Sequence, residues 1–249
     1  MKHILEMIDE ARRAAAKPSD DGRLYREVST DDHTLITYSK IADADVDRVV
    51  AAEVSRLREL KATLEWDVYS HDPQKRLLES LRAAGFAVGP KERMLAVPAT
   101  PQTIQRFEAP NYDIRRIHDL EGLEHMARIS REIGRKNVDE ETRRLAAELR
   151  EAASTMNLYI AYVDVEPVAC GRLHFAAGGV PFAWLCGGRT KTTHRNRGLY
   201  TALVRKRIED AIDRNCRALV VDALPSSEPI LSKRGFHAIS DKQAFVLEP

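Results

Sequence analysis

The sequence predicts an α+β fold, a mixed and mainly antiparallel sheet with helices packed on it, and three observations carry that prediction. Residues 182–203 read as an apolar strand, a basic turn containing glycine, and an amphipathic helix in direct succession. Ahead of them, Leu158 to Val163 and Val168 to Phe175 flank the run Asp164-Val165-Glu166-Pro167, the pattern of a hairpin. The order helix, strand, helix, Gly-Phe, strand also occurs twice, closing at Gly85-Phe86 and again at Gly235-Phe236.

From the start of the chain, residues 4–17 place Ile4, Leu5, Ile8, Ala11 and Ala15 at helical spacing, and Pro18-Ser19-Asp20-Asp21-Gly22 ends the element. Leu24 to Val28 is a short extended piece and Thr34 to Tyr38 a strand. Residues 43–60 repeat Val46, Val49, Val50, Val54 and Leu57 in the i, i+3, i+4 pattern of an amphipathic helix. Leu64 to Tyr69 alternates apolar and polar, as a strand with one wet face does. Asp72-Pro73 offers an N-cap and a first-turn proline for a helix carrying Leu77, Leu78, Leu81 and Ala84, stopped by Gly85. A strand from Arg93 to Val97 ends at Pro98.

Pro98 to Pro110 reads as the linker, which divides the chain into residues 1–108 and 109–249. Beyond it come a strand from Tyr112 to Ile117, helices from Asp119 to Arg131 and from Glu140 to Ala153, and the hairpin. Gly178-Gly179 then turns the chain into the strand Phe182 to Cys186. Helix 198–214 packs through Leu199, Leu203, Val204, Ile208, Ala211 and Ile212, with Arg205, Lys206, Arg207, Glu209 and Asp210 mostly outside. The strand Ala218 to Asp222 and a closing helix that ends at Gly235-Phe236 complete the second half.

The junction after Phe182 to Cys186 has a chemical use. The first turn of a helix leaves backbone N–H groups unpartnered and carries about half a positive charge. An anion seated there accepts several of those bonds at once. Arg195 and Arg197 add full charges, and Gly198 lets backbone and ligand approach where a Cβ would intrude. A diphosphate fits this description. The first half has no such turn: Ile41-Ala42-Asp43-Ala44-Asp45 is acidic and lacks glycine, so it is a reduced copy that binds no cofactor.

The segment Arg195-Asn196-Arg197-Gly198-Leu199-Tyr200 resembles the acetyl-CoA signature of the GCN5-related N-acetyltransferases (GNAT), with Tyr200 replacing the small residue at the sixth position. The flanking strand, helix and Gly235-Phe236 occur in that family's order, and the resemblance spans about Tyr112 to Leu247. It implies a GNAT-like sheet with helices on both faces, preceded by a reduced GNAT-like lobe. It further implies acetyl-CoA as co-substrate and direct transfer of the acetyl group to an amine of a small molecule or protein. The pair of helices after residue 118 is expected over the acceptor site.

The same resemblance assigns the diphosphate to the N–H groups of Arg197, Gly198, Leu199, Tyr200 and Thr201, flanked by Arg195 and Asn196. It assigns the pantetheine amides to Gly188, Arg189 and Thr190, where the strand splays and Gly187-Gly188 eases the distortion. Tyr200 has two readings, a ring over the nucleotide or one turned into the core. Many relatives carry a tyrosine acid four residues before Gly-Phe, but Leu231 stands there. Thiolate protonation then falls to water, Ser226, Ser227 or Tyr200; Ser227 also suits an N-cap ahead of Glu228-Pro229. Candidates for the base are Asp222 first, then His174 and Glu132.

Composition narrows the alternatives. With 39 basic and 38 acidic residues the net charge is +1, against the surplus expected of a nucleic-acid binder. No apolar run reaches the roughly 18 residues of a membrane span, and the first residues do not read as a secretory signal, so a cytoplasmic protein is expected. Cys170, Cys186 and Cys216 lack Cys-x-x-Cys spacing, and eight scattered histidines show no ligand spacing, so no metal is expected. A homodimer is left open. The competing readings are a non-catalytic acyl-CoA-binding sensor, in which Leu231 and Tyr200 mark lost chemistry, and an interaction module without CoA.

Overall fold

In the computed structural model, which describes residues 2–30, 33–151 and 155–249, the first half runs α1 (Lys2–Ala14), β1 (Lys17–Pro18), β2 (Leu24–Thr30), β3 (His33–Ser39), α2 (Val46–Leu60), β4 (Thr63–Tyr69), α3 (Leu77–Ala83) and β5 (Ala87–Pro98). The second half runs α4 (Pro101–Gln105), β6 (Asp113–Ile117), α5 (Leu120–Glu132), α6 (Val138–Glu151), β7 (Met156–Val163), β8 (Glu166–Phe175), β9 (Phe182–Thr190), α7 (Leu199–Asp213), β10 (Ala218–Ala223), α8 (Glu228–Ser232) and β11 (His237–Leu247). The expected end of the second α5–α6 helix, at Ala153, lies outside the described residues. No helix among the described residues is long and apolar enough to cross a membrane.

Among the described residues eleven strands form one continuous sheet in the order β1-β2-β3-β4-β11-β5-β10-β9-β8-β7-β6. Only β3–β4 and β9–β10 pair in parallel among the described residues; the rest are antiparallel. The order is two-fold about the β11–β5 pair, with β6 added beyond β7 at one edge. Each half contributes a parallel pair bridged by a helix, β3-α2-β4 and β9-α7-β10, then a short helix, and its last strand crosses to the other half. Thus β5 pairs with β10, and β11 pairs with β4.

The two Gly-Phe pairs make this repeat concrete. Gly85 and Gly235 have φ of 90° and 93°, left-handed values at which a Cβ is strained. Phe86 N–H then donates to the Leu81 carbonyl at 3.1 Å, and Phe236 N–H donates to that of Leu231 at 3.2 Å. Both rings are buried, each under its own half's helix pair.

Alternation along the strands distributes the helices. On β10, Leu219 and Val221 join α7 in one core, while Ala218 and Val220 join Met7, Ile8 and Ala11 of α1 in another. On β7, Tyr159 and Ala161 face α7, whereas Leu158, Ile160 and Tyr162 face α5 and α6. One face therefore carries α7 together with α2 and α3, and the other carries α1, α5 and α6.

Three local expectations are corrected. Asp72 does not start a helix: α3 begins at Leu77 because both Asp72 oxygens accept from Arg12 and one also accepts the Tyr69 N–H. Arg207 is not outside on α7 but 1% exposed, with its guanidinium folded under β8 and β9. The stretch taken as a plain linker contains α4, started by the Thr100 hydroxyl, which accepts from the Thr103 N–H at 3.3 Å.

Candidate functional site

The strands β9 and β10 pair only from Phe182 to Trp184 against Ala218 to Val220. Beyond that point they diverge, and β9 runs on to Thr190, longer than the expected end at Cys186, by pairing Arg189 and Thr190 with Cys170 and Ala169 of β8. Two residues, Gly187 and Gly188, sit opposite Gly171 there, forming a bulge; Gly187 adopts φ of 57°. Beneath it the buried Arg207 donates from Nε to the Leu203 carbonyl at 3.0 Å and from Nη1 to the carbonyls of Arg172 and Cys186 at 3.1 and 3.4 Å. The guanidinium fills a gap opened by Gly171, where a Cβ would lie 2.9 Å from it.

The splay leads to the opening of α7. Asn196 and Gly198 take positive φ, 61° and 86°, which lifts the chain into the helix. The first N–H of α7 with a backbone acceptor is that of Ala202, on the Gly198 carbonyl at 2.9 Å. Those of Leu199, Tyr200 and Thr201 have none among the described residues, so the turn presents a row of free donors. They line a cleft of about 520 Å³ with Thr190, Arg195 and Arg234. At the matching corner of the first half, by contrast, the acidic turn is closed on its own chain: Asp45 pairs with Arg23 and Arg48, and Asp43 accepts the Arg76 N–H.

Several expected roles change in detail. Arg197 contributes only backbone, its carbonyl accepting from the Tyr112 hydroxyl, and its side chain does not line the cleft. A side chain at Gly198 would meet Pro110 Cδ at 3.0 Å rather than a ligand, so glycine is required here for its backbone conformation. The Arg189 guanidinium turns away, to Ser130 Oγ at 2.5 Å and Glu141 Oε1 at 2.7 Å, and braces α5 and α6. Gly188 is required because Tyr200 lies over it; a Cβ would come within 2.8 Å of the ring.

Tyr200 takes the inward course. It stands where the cleft opens into a second cavity of about 710 Å³ on the α1, α5 and α6 face, and Gly188, Ser226 and Ser227 line both spaces. Burial pushes its phenol up, against the Arg207 charge and a Ser227 hydrogen bond that pull it down. Ser227 does not cap α8: its hydroxyl donates to the Leu224 carbonyl at 3.2 Å and no cap bond forms. Leu231 is fully buried in the α7 core and faces neither space.

The cavity is polar, and both halves wall it. Asp222 on β10 enters it beside Glu92 of β5, Lys242 of β11 and Glu65 of β4, under a roof that includes Glu141 and Arg144 of α6. Burial pushes the Asp222 carboxyl up, while the Lys242 charge pulls it down; its Oδ1 has no hydrogen-bond partner. Lys242 bridges Asp67 at 2.8 Å and approaches Asp222 at 3.9 Å. Burial works to discharge this lysine, but Asp67, Tyr69 and Asp222 outweigh it and hold it well above the usual range. The other two base candidates stand apart: His174 pairs with Glu148 of α6 at 3.2 Å, and Glu132 pairs with Lys191 at 2.6 Å.

Comparison with known proteins agrees with this geometry. The profile of the Acetyltransferase (GNAT) family matches residues 120–236. These residues form a GNAT domain. No curated protein sequence matches the chain. Among solved structures, a GCN5-related N-acetyltransferase from Kribbella flavida superposes with a TM-score of 0.70 at 14% identity, over 99% of this chain and 95% of that one. A functionally unknown conserved protein from Staphylococcus epidermidis gives 0.70 at 11% identity, over 94% of each chain. A tandem GNAT protein from the clavulanic acid biosynthesis pathway gives 0.62 at 13% identity, over 87% of this chain and 75% of that one. At these identities the likeness is one of fold.

The cleft and the cavity bring together three elements that sequence reasoning named, the glycine pair of β9, the turn into α7 and Asp222. Three residues that it did not name also line these spaces. Arg234 brings a positive charge into the cleft from the end of α8, and its place directly before Gly235-Phe236 was the available signal. Lys242 and Glu92 come from strands that exchange between halves, and no local pattern announces that.

Proposed function

We propose that the chain is an acetyl-CoA-dependent N-acetyltransferase that passes the acetyl group directly to an amine held in the cavity beside Asp222. The observation that supports it is the continuity of the two spaces: a cleft opening on free helix N–H groups runs, past Gly188 and Tyr200, into a cavity containing a buried carboxylate. The residues present fit acetyl-CoA, because the N–H groups of residues 199–201 and the charges of Arg195 and Arg234 suit a diphosphate. The divergence of β9 from β10 leaves the Gly188 to Thr190 backbone open to amides.

When bound, acetyl-CoA supplies an activated carbonyl and a thiolate leaving group. Asp222 receives the proton that the attacking ammonium must lose, and its raised pKa suits a base better than an ordinary aspartate. Tyr200, kept protonated by burial, offers its phenolic proton at the mouth between the two spaces, and Ser227 orients it. Cys186 borders the cavity, but burial pushes its thiol up, so it stays protonated and does not serve as a nucleophile.

Calorimetry with acetyl-CoA tests the cleft, and thiol release with a panel of amines tests the transfer. Binding without release of CoA from any amine would instead favour a sensor. Gly198→Val is expected to weaken acetyl-CoA at least about tenfold, because a β-branched residue resists the left-handed conformation; unaltered affinity would remove the cleft from the assignment. Tyr200→Phe is expected to lower kcat about tenfold with KM unchanged, since water substitutes in part for the phenol. Equal kcat in the two proteins would leave protonation to another group.

A further inference from the structure

The cavity beside Asp222 holds two opposite charges whose hydrogen-bonding atoms are only partly satisfied. The Arg172 side chain on β8 is 11% exposed, yet its guanidinium donates no hydrogen bond among the described residues, and both Nε and Nη1 are buried without an acceptor. The nearest acid, Glu141, lies 3.5 Å from Nη1 and is already bonded by Arg189 at 2.7 Å. On the other side, the Oδ1 of Asp222 is buried without a donor. Two neighbouring charges in the same space are already paired, Lys242 with Asp67 and Glu65 with His33 at 3.5 Å.

Unpaired buried donors and acceptors are rare and costly in a folded protein, by roughly 1–3 kcal/mol for a neutral group and more for a charged one. Their coexistence in one cavity marks a site shaped for a complementary guest. Arg172 faces Cys186 across the β8–β9 ladder, and Asp222 stands on β10, on the other side of β9, so the two flank that residue. The divergence of β9 from β10 sets their backbones more than two strand spacings apart, beyond about 10 Å, and both residues line the cavity. Arg135 and Arg144, which line the cavity's outer continuation as well, extend the positive side of the wall.

We propose that the acceptor is an amino carboxylate, its amine directed to Asp222 and its carboxylate bound by Arg172. This rests on the reading of the site as an acetyltransferase and adds the class of substrate. It gives the first half of the chain a role too, since Glu65 and Glu92, from strands of that half, close the wall opposite Arg172 and fix the space in which such a molecule must fit.

The test is a set of matched amines that differ only in the carboxylate: phenylalanine against phenethylamine, lysine against cadaverine, and γ-aminobutyrate against propylamine. Each is titrated calorimetrically into the full-length protein, with and without saturating CoA. At least one amino carboxylate is expected to bind about 10- to 100-fold more tightly than its decarboxylated counterpart, as a charge-assisted bond requires. Arg172→Gln is expected to erase that difference and to leave acetyl-CoA affinity intact, while Arg172→Lys retains part of it. Equal affinity within every pair, no binding of any amino carboxylate, or a preference that survives Arg172→Gln would overturn the proposal. The wild-type comparison decides even if the glutamine variant does not fold. Failure of CoA itself to bind would count against the acetyltransferase reading alone, because the titrations without CoA still report the carboxylate preference.

Discussion

Asp222→Asn is expected to lower kcat by about 10²- to 10⁴-fold, the range of a lost general base, with acetyl-CoA affinity unchanged. The residue lines the acceptor cavity and not the nucleotide cleft, so the two readouts separate. Asparagine keeps the volume and can still accept from Tyr69, so the variant loses proton acceptance more than packing. The pH profile gives a second readout. Burial raises the Asp222 pKa above its usual 3.8, with Lys242 opposing. A base acts when deprotonated, so wild-type activity falls as pH drops through that raised value, and the fall begins at a higher pH than an exposed aspartate would give. In Asp222→Asn that acid limb disappears from the residual activity. Pre-steady-state acetyl transfer to a single good acceptor, measured across pH, checks both points; a variant with full kcat and an unaltered acid limb would take Asp222 out of the reaction.

What the sequence disclosed about this site depended on whether the determinant was local. The turn into α7 was legible because its physics is written in consecutive residues: strand, glycines, arginines, helix. Gly85-Phe86 and Gly235-Phe236 disclosed the repeat for the same reason, since in each the Phe N–H bonds back to a leucine five residues earlier. Strand exchange was not legible. After each Gly-Phe the chain reads simply as another strand, and nothing in β5 or β11 says which half's parallel pair it will join. Asp72-Pro73 looked like a helix start, but a bidentate arginine from 60 residues away outcompeted the cap. Arg207 looked like one more charge on the wet side of α7, and only the bulge opposite Gly171 gives it an inside place. Ser227 sat correctly for a cap, yet the Leu224 carbonyl and Tyr200 took its hydroxyl.

The largest stability effect is expected at Arg12, which joins α1 to the strand sheet. It is 4% exposed, and its guanidinium bonds both oxygens of Asp72, at 2.8 and 3.1 Å, the Thr37 carbonyl at 2.7 Å and Asp9 at 2.8 Å. The side chain of Asp72 is 1% exposed. Arg12→Met therefore strands a buried carboxylate, and breaking one side of such a pair costs about 3–5 kcal/mol, a fall in Tm on the order of 10 °C for a chain of this size. Adding Asp72→Asn should return part of that loss, because the uncompensated charge goes with it. The effect reaches the site as well. The Arg12 guanidinium lies 4.1 Å from the centre of the Tyr69 ring, and the Tyr69 hydroxyl supports Asp222. Acid should weaken the same anchor. Burial works to raise the Asp9 carboxyl, but the hydrogen bond from His71 and the Arg12 charge outweigh it and hold the pKa below 3.8. A depressed folded-state pKa means that this stabilisation is complete above the unfolded value and is lost as pH falls through the folded one. The Tm of the wild type should accordingly drop below about pH 4, and more steeply than that of Arg12→Met, in which Asp9 has lost one of its cations. Thermal melts of the three proteins between neutral and acid pH give the answer, and a single variant that melts within about 2 °C of wild type would show that α1 is held by its apolar face instead.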